Sequence, residues 1–239
     1  MQWWWMILLF ILPLTGGIIG LNVDKARIKE LKLFLAFGGA FLISITILNL
    51  IPEVYEHMGP RAGYFVLGGF FLQIVTDYFS KGIEHGHIHL HEFEKKFPMS
   101  VFIALGLHAL LEGVGVGGEV FSKEAQRNLS FAIGMHEIPA AFALAVVLKS
   151  AVKRAKSVNM LWVVIYALMV PIGLFIGSYL KDYEEIIHAV MAIVIGVFLH
   201  ISTTILFENS ESHKFSYLKL IAIAIGLGLA LVVGSVHIH

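Results

Sequence analysis

The chain has 239 residues, of which 58% are apolar and 14% charged, with a formal net charge of zero and no cysteine. Soluble domains carry about 45–50% apolar and about 25% charged residues, so the composition excludes an ordinary soluble protein. The neutral charge argues against a nucleic-acid partner, and the missing cysteines exclude disulfides, zinc fingers, iron–sulfur clusters and thiol catalysis.

A membrane-spanning helix needs about 20 mostly apolar residues, and eight stretches of the sequence meet this requirement. In chain order the predicted spans are 3–21, 31–52, 62–80, 99–120, 129–148, 158–180, 184–207 and 216–237. Little sequence remains for a soluble domain. We therefore expect a single transmembrane domain over residues 1–239, an all-α integral membrane protein with short loops.

The basic residues predict the orientation of these spans. Thirteen of the 17 lysines and arginines fall in the loops on one side of the bilayer and four on the other. By the positive-inside rule, the richer side is cytoplasmic. We expect both termini to face outward and the loop 81–98 to be cytoplasmic, in a multi-pass protein of the cell (inner) membrane.

Spans four and five carry ionisable residues at membrane depth, where a charged side chain is costly and usually marks a functional site. His108 and Glu112 lie four residues apart on one face of span four, and His136 and Glu137 lie near the middle of span five. Imidazoles and carboxylates without thiolates suit zinc, and also manganese, iron(II), cobalt or nickel. Pro139 is expected to open the helix beside the second pair, because it cannot donate a backbone hydrogen bond. A purely structural pairing of these side chains is the alternative interpretation.

Two further features carry histidine. The cytoplasmic loop has four imidazoles at alternate positions, a pattern that can bind metal loosely. They are His85, His87, His89 and His91. His200 of span seven lies within an apolar run, where it either lines a pathway or bonds to a neighbouring backbone group.

The two motifs resemble those of the ZIP (Zrt/Irt-like) divalent metal transporters. His108-Ala-Leu-Leu-Glu112-Gly is similar to the family's His-Asn-x-x-(Asp/Glu)-Gly, and His136-Glu137-Ile-Pro139 is similar to His-Glu-x-Pro-(His/Glu). Asn49-Leu-Ile-Pro-Glu53 closes span two where the family often has His-x-x-Pro-Glu. The resemblance implies a compact bundle with an inverted repeat. It also implies uptake of zinc, or of iron, manganese or cadmium, into the cytoplasm through a site between spans four and five.

By position, the resemblance makes His108, Glu112 and His136 ligands of the main site, and Glu112 and Glu137 part of an adjacent second site. Three departures affect the second site. Ala109, Ala140 and Val170 stand where the family has Asn, a His or Glu ligand, and often Glu. We therefore expect a bacterial-type member with a degenerate second site and one transported ion per protomer, completed by water or by another span, for example by Asn49.

Two other classes of function compete with transport. A membrane-embedded zinc hydrolase is disfavoured because His136-Glu137-Ile-Pro-Ala140 lacks the second histidine of a zincin helix. A metal sensor that binds without moving ions is the third hypothesis. We expect no enzymatic activity and no covalent cofactor. The expected partners are divalent metal ions and the lipid bilayer, and the glycines of span eight are compatible with a homodimer.

Overall fold

The computed structural model describes residues 3–23, 28–80, 82–83, 98–119, 122–151, 155–207 and 217–235. This part of the chain is helical and contains no β-strand. The helices are α1 (Trp3–Asn22), α2 (Ile28–Ile45), α3 (Ile51–Met58), α4 (Ala62–Ser80), α5 (Met99–Gly117), α6 (Lys123–Ala151), α7 (Lys156–Ala167), α8 (Met169–Leu180), α9 (Glu184–Phe207) and α10 (Tyr217–Ser235). The expected all-α class is thus observed.

Six helical stretches of the described chain are long and apolar enough to cross a membrane. They are Trp4–Asn22, Lys32–Ser80, Met99–Gly117, Ala125–Ser150, Lys156–Leu180 and Glu184–Phe207, and the apolar stretch Tyr217–Val233 is slightly shorter. The stretch Lys32–Ser80 has 49 residues and combines the predicted second and third spans. Within it, α3 ends at Met58, and Gly59 follows with a φ of +60°, which a glycine adopts without steric cost.

Two elements differ from the simple helices that the sequence predicts. The second span continues from α2 through a π-helical turn, Thr46–Leu50, into α3. The sixth span is divided at Leu168 into α7 and α8. Pro171 explains this division, because it has no N–H to bond the carbonyl of Ala167 one turn earlier.

The expected opening of the fifth span at Pro139 is not found. Helix α6 runs without interruption from Lys123 to Ala151 with Pro139 inside it. Proline removes only one hydrogen bond from a helix of 29 residues, and α1 packs closely against this point. Gly16 of α1 lies so near that an added Cβ would be 2.2 Å from the carbonyl oxygen of Ile138.

The helices form two groups by their packing. Helices α1, α5, α6, α7 and α8 pack mainly on one another, and α2, α3, α4, α9 and α10 form the second group. The two groups meet where α2 contacts α6, and where α5 contacts α4 and α9. Helices α5 and α6, which carry the two predicted metal motifs, therefore lie at the boundary between the groups.

Glycines bring the helix backbones together within each group. In the first group, a Cβ on Gly113 of α5 would lie 2.2 Å from the carbonyl oxygen of Val170, and one on Gly173 of α8 would lie 2.2 Å from that of Leu110. In the second group, a Cβ on Gly196 of α9 would lie 1.9 Å from the carbonyl oxygen of Val66. Between α5 and α9, by contrast, Gly115 faces only side chains. Close backbone packing of this kind is typical of helix pairs in membranes.

Candidate metal centre

Helices α5 and α6 bring three predicted ligands together. One ligand atom each from His108, Glu112 and His136 lies within 4.8 Å of the others. All three residues are buried, with at most 3% of their surface exposed. Within the part of the chain that the structure describes, this is the one cluster of three or more such side chains with this geometry.

The spacing within each helix explains the arrangement. Residues four apart in an α-helix lie above one another, and Nε2 of His108 lies 2.9 Å from Oε1 of Glu112. The ring of His136 approaches that of His108 edge to face, with centroids 5.7 Å apart and an interplanar angle of 87°. Two imidazoles and one carboxylate from two helices thus converge on a small volume.

The electrostatics of the cluster favour a cation. Glu112 and Glu137 are neighbouring carboxylates, with 1% and 0% of their surface exposed. Neither oxygen of Glu112 receives an aligned hydrogen bond from the described residues. Burying two adjacent carboxylates is costly unless positive charge compensates them. A divalent ion between two imidazoles and a carboxylate would supply that charge, and zinc accepts this ligand set.

The remaining predicted site residues have different surroundings. Glu137 follows His136 but does not join the three-residue cluster, and the hydroxyl of Tyr166 lies beside its carboxylate. Asn49 lies in the π-helical turn, a distortion frequently found at functional sites. His200 pairs with Asp77 of α4 at 3.3 Å. The loop histidines His85, His87, His89 and His91 lie outside the described residues.

The three departures from the family pattern occupy buried positions around the cluster. Ala109, Ala140 and Val170 each have none of their surface exposed. They place methyl groups, with no ligand atom, at the positions where the resemblance expects polar side chains. The geometry is therefore compatible with a reduced second site.

Sequence reasoning missed Tyr166 as a neighbour of Glu137. It is the largest side chain that is fully buried in the described chain, and it comes from α7. Its only signal in the sequence was a hydroxyl near the middle of the apolar run of span six. It also missed the stacked pair His57 and His188, because 131 positions separate these residues in the chain.

The fold and the cluster together describe a polytopic helical protein with a buried histidine–carboxylate centre between two of its helices. The sequence model of the ZIP zinc transporter family matches residues 97–234, which include both motifs. The chain belongs to this family, and it is a multi-pass membrane protein.

Two curated relatives are similar to parts of the chain. Protein zntD of Dictyostelium discoideum is 31% identical over 149 residues, which cover 56% of this chain and 22% of the relative. Zinc transporter ZIP1 of Danio rerio is 30% identical over 128 residues, covering 49% of this chain and 40% of the relative. The chain thus spans less than half the length of either relative.

Proposed function

We propose that the protein transports divalent metal ions, with zinc as its principal substrate, into the cytoplasm. The observation that carries the proposal is the buried cluster of His108, Glu112 and His136. Membership of the ZIP family and similarity to a relative named as a zinc transporter support it. Iron, manganese and cadmium are further candidate substrates, because the same nitrogen and oxygen ligands accept them.

We further propose that one ion occupies the transport site of each protomer. His108 and His136 supply neutral imidazole nitrogens, and Glu112 supplies a carboxylate oxygen. Water or another span completes the coordination sphere, and Asn49 remains a candidate for this role. The carboxyl group of Glu137 lies beside the hydroxyl of Tyr166, next to the site. Ala109, Ala140 and Val170 offer no ligand atoms for a second ion.

The mechanism that we propose is alternating access by movement between the two helix groups. Within each group, glycine contacts place backbone against backbone, which holds neighbouring helices in one register. Where α5 meets α9, Gly115 faces the sulfur of Met191, a flexible side chain. We therefore expect the first helix group to move as a rigid unit that carries the site. The contacts at its boundary with the second group are able to rearrange.

We propose eight spans with an inverted repeat, both termini outside and loop 81–98 in the cytoplasm of a bacterial-type cell membrane. The 49-residue stretch Lys32–Ser80 would measure about 70 Å as a straight helix, more than twice the ~30 Å bilayer core. It therefore accounts for two spans that meet near Gly59. Counting Tyr217–Val233 as a further span brings the total to eight.

The other candidate functions have less support. A zincin-type hydrolase binds its metal through two histidines one turn apart on one helix, and Ala140 offers no ligand atom where the second histidine would stand. A sensor that binds zinc without moving it uses the same ligands. Measuring binding and flux on one preparation separates a sensor from a transporter.

The test is zinc uptake into proteoliposomes that contain the purified full-length chain. We expect saturable uptake by the wild type and loss of uptake in His108→Ala/His136→Ala. Ser130→Ala is the matched control, because Ser130 is buried in α6 and, among the described residues, its hydroxyl donates to the carbonyl of Gln126 one turn away. Absence of flux in a folded wild-type protein that binds zinc would refute transport.

A further inference from the structure

A second pair of histidines meets at one end of the bundle. The rings of His57 and His188 are stacked, with centroids 4.7 Å apart and an interplanar angle of 25°. His57 lies in the last turn of α3, and His188 lies in the second turn of α9. Helices α3 and α9 pack against each other, so the pair lies within one helix group.

The hydrogen bonds of the two rings leave the same nitrogen of each ring for a ligand. Nδ1 of His57 lies 2.8 Å from the carbonyl oxygen of Glu53, and Nδ1 of His188 lies 2.7 Å from that of Glu184. A carbonyl oxygen only accepts, so Nδ1 is the protonated nitrogen in both rings. Each neutral ring therefore carries its lone pair on Nε2. A histidine that binds metal has this arrangement, with its other nitrogen bonded to a backbone carbonyl.

Burial distinguishes His188 from a solvated surface histidine. Only 9% of its surface is exposed, and its Nε2 has no hydrogen-bond partner among the described residues. A buried acceptor without a donor is unfavourable, and a bound cation removes this cost. His57 is exposed and gives the site access to solvent.

The position of the pair connects it to the main cluster. Ile187, next to His188, contacts Gly118 at the end of α5. Gly118 is six residues beyond Glu112, about 9 Å along the helix. The carboxylate of Glu53, one turn before His57, accepts a hydrogen bond from the backbone N–H of Ser122, just before α6 begins. The first turn of α9 adds two acidic residues, Glu184 and Glu185.

We propose that His57 and His188 form a second divalent-metal site, in which both Nε2 atoms and water bind one ion at the outward end of the bundle. As a binding site it stands independently of transport. Its role as the first docking position of the transported ion rests on the proposed function. Two protein ligands and an exposed ring suit weak and exchangeable binding.

The test uses a full-length background in which nine of the twelve histidines are replaced by alanine, so that only His57, His188 and His200 remain. Electron paramagnetic resonance of bound Cu²⁺ counts the coordinating nitrogens. We expect one Cu²⁺ with two imidazole nitrogens, and a loss of affinity on the order of tenfold or more in His57→Ala or His188→Ala. His200→Ala is the matched control and should bind as the background does.

An unchanged nitrogen count and affinity in His57→Ala and His188→Ala would overturn the proposal. If the background does not fold, zinc equivalents are counted in a chain in which only the four loop histidines are replaced by alanine. There the exposed His57→Ala should lose one weakly bound ion and keep the tight one, whereas retention of both refutes the site. Failure of transport leaves these counts unaffected, so the two proposals fail separately.

Discussion

Replacing Gly113 by alanine tests whether close backbone packing holds the ligand-bearing helix in place. The added Cβ would lie 2.2 Å from the carbonyl oxygen of Val170 and 2.9 Å from Cα of Gly173, both shorter than real Cβ contacts. Both obstacles are backbone atoms, so α5 and α8 must separate by about 1 Å. Overpacking of this kind costs about 1–3 kcal/mol, which corresponds to a fall of about 2–12 °C in the unfolding midpoint.

Gly106→Ala on the same helix is the matched control. Gly106 is also buried, but the nearest atom to its added Cβ is Cγ of Met169 at 3.7 Å, an ordinary contact. Alanine is the better helix former by about 0.5–1 kcal/mol, so this variant should be neutral or slightly stabilised. Thermal unfolding of both variants in detergent provides the comparison. Because Gly113 adjoins Glu112, zinc uptake should also fall in Gly113→Ala alone. Equal midpoints for the two variants would refute the reasoning.

Three further predictions concern the metal. Zinc affinity and uptake should decrease as the pH falls from 7.5 to 5.5, because metal binding needs neutral imidazoles, whose ordinary pKa is about 6.5. Unchanged affinity in a zinc titration would contradict the ligand assignment. Deletion of residues 85–91 should leave the maximal uptake rate roughly intact and shift its dependence on zinc concentration, whereas complete loss of uptake by a folded protein would exclude a purely regulatory role. Glu112→Gln should weaken zinc binding more than Glu137→Gln, since only Glu112 belongs to the three-residue cluster; equal losses by calorimetry would contradict this difference.

Much of the helical fold could be predicted from local sequence, because a span needs only a sufficient run of apolar residues. The all-α class and the broad positions of the helices follow from this requirement. The interruption at Leu168 could also have been predicted, since Pro171 lies in the middle of the predicted sixth span. The continuity of α6 through Pro139 could not be predicted from the sequence, because neighbouring helices decide whether a proline opens a helix.

Part of the candidate site followed from the sequence for a similar reason. The i, i+4 spacing places His108 and Glu112 on one face, and this relation is purely local. That His136 completes the cluster depends on the packing of α5 against α6, which the resemblance supplied. Tyr166 and the pair of His57 with His188 depend on contacts between distant helices. No periodicity within one helix encodes such contacts.

The most direct test of the central claim is X-ray absorption at the zinc edge on protein loaded with less than one equivalent of zinc. The sample should carry alanine in place of the four loop histidines and of His57, so that the spectrum reports the site between α5 and α6. We predict one zinc with two imidazole nitrogens and carboxylate or water oxygens at about 2.0–2.2 Å. In His136→Ala, one of the imidazoles should disappear. A zinc–zinc vector, or two imidazoles retained in His136→Ala, would contradict this prediction.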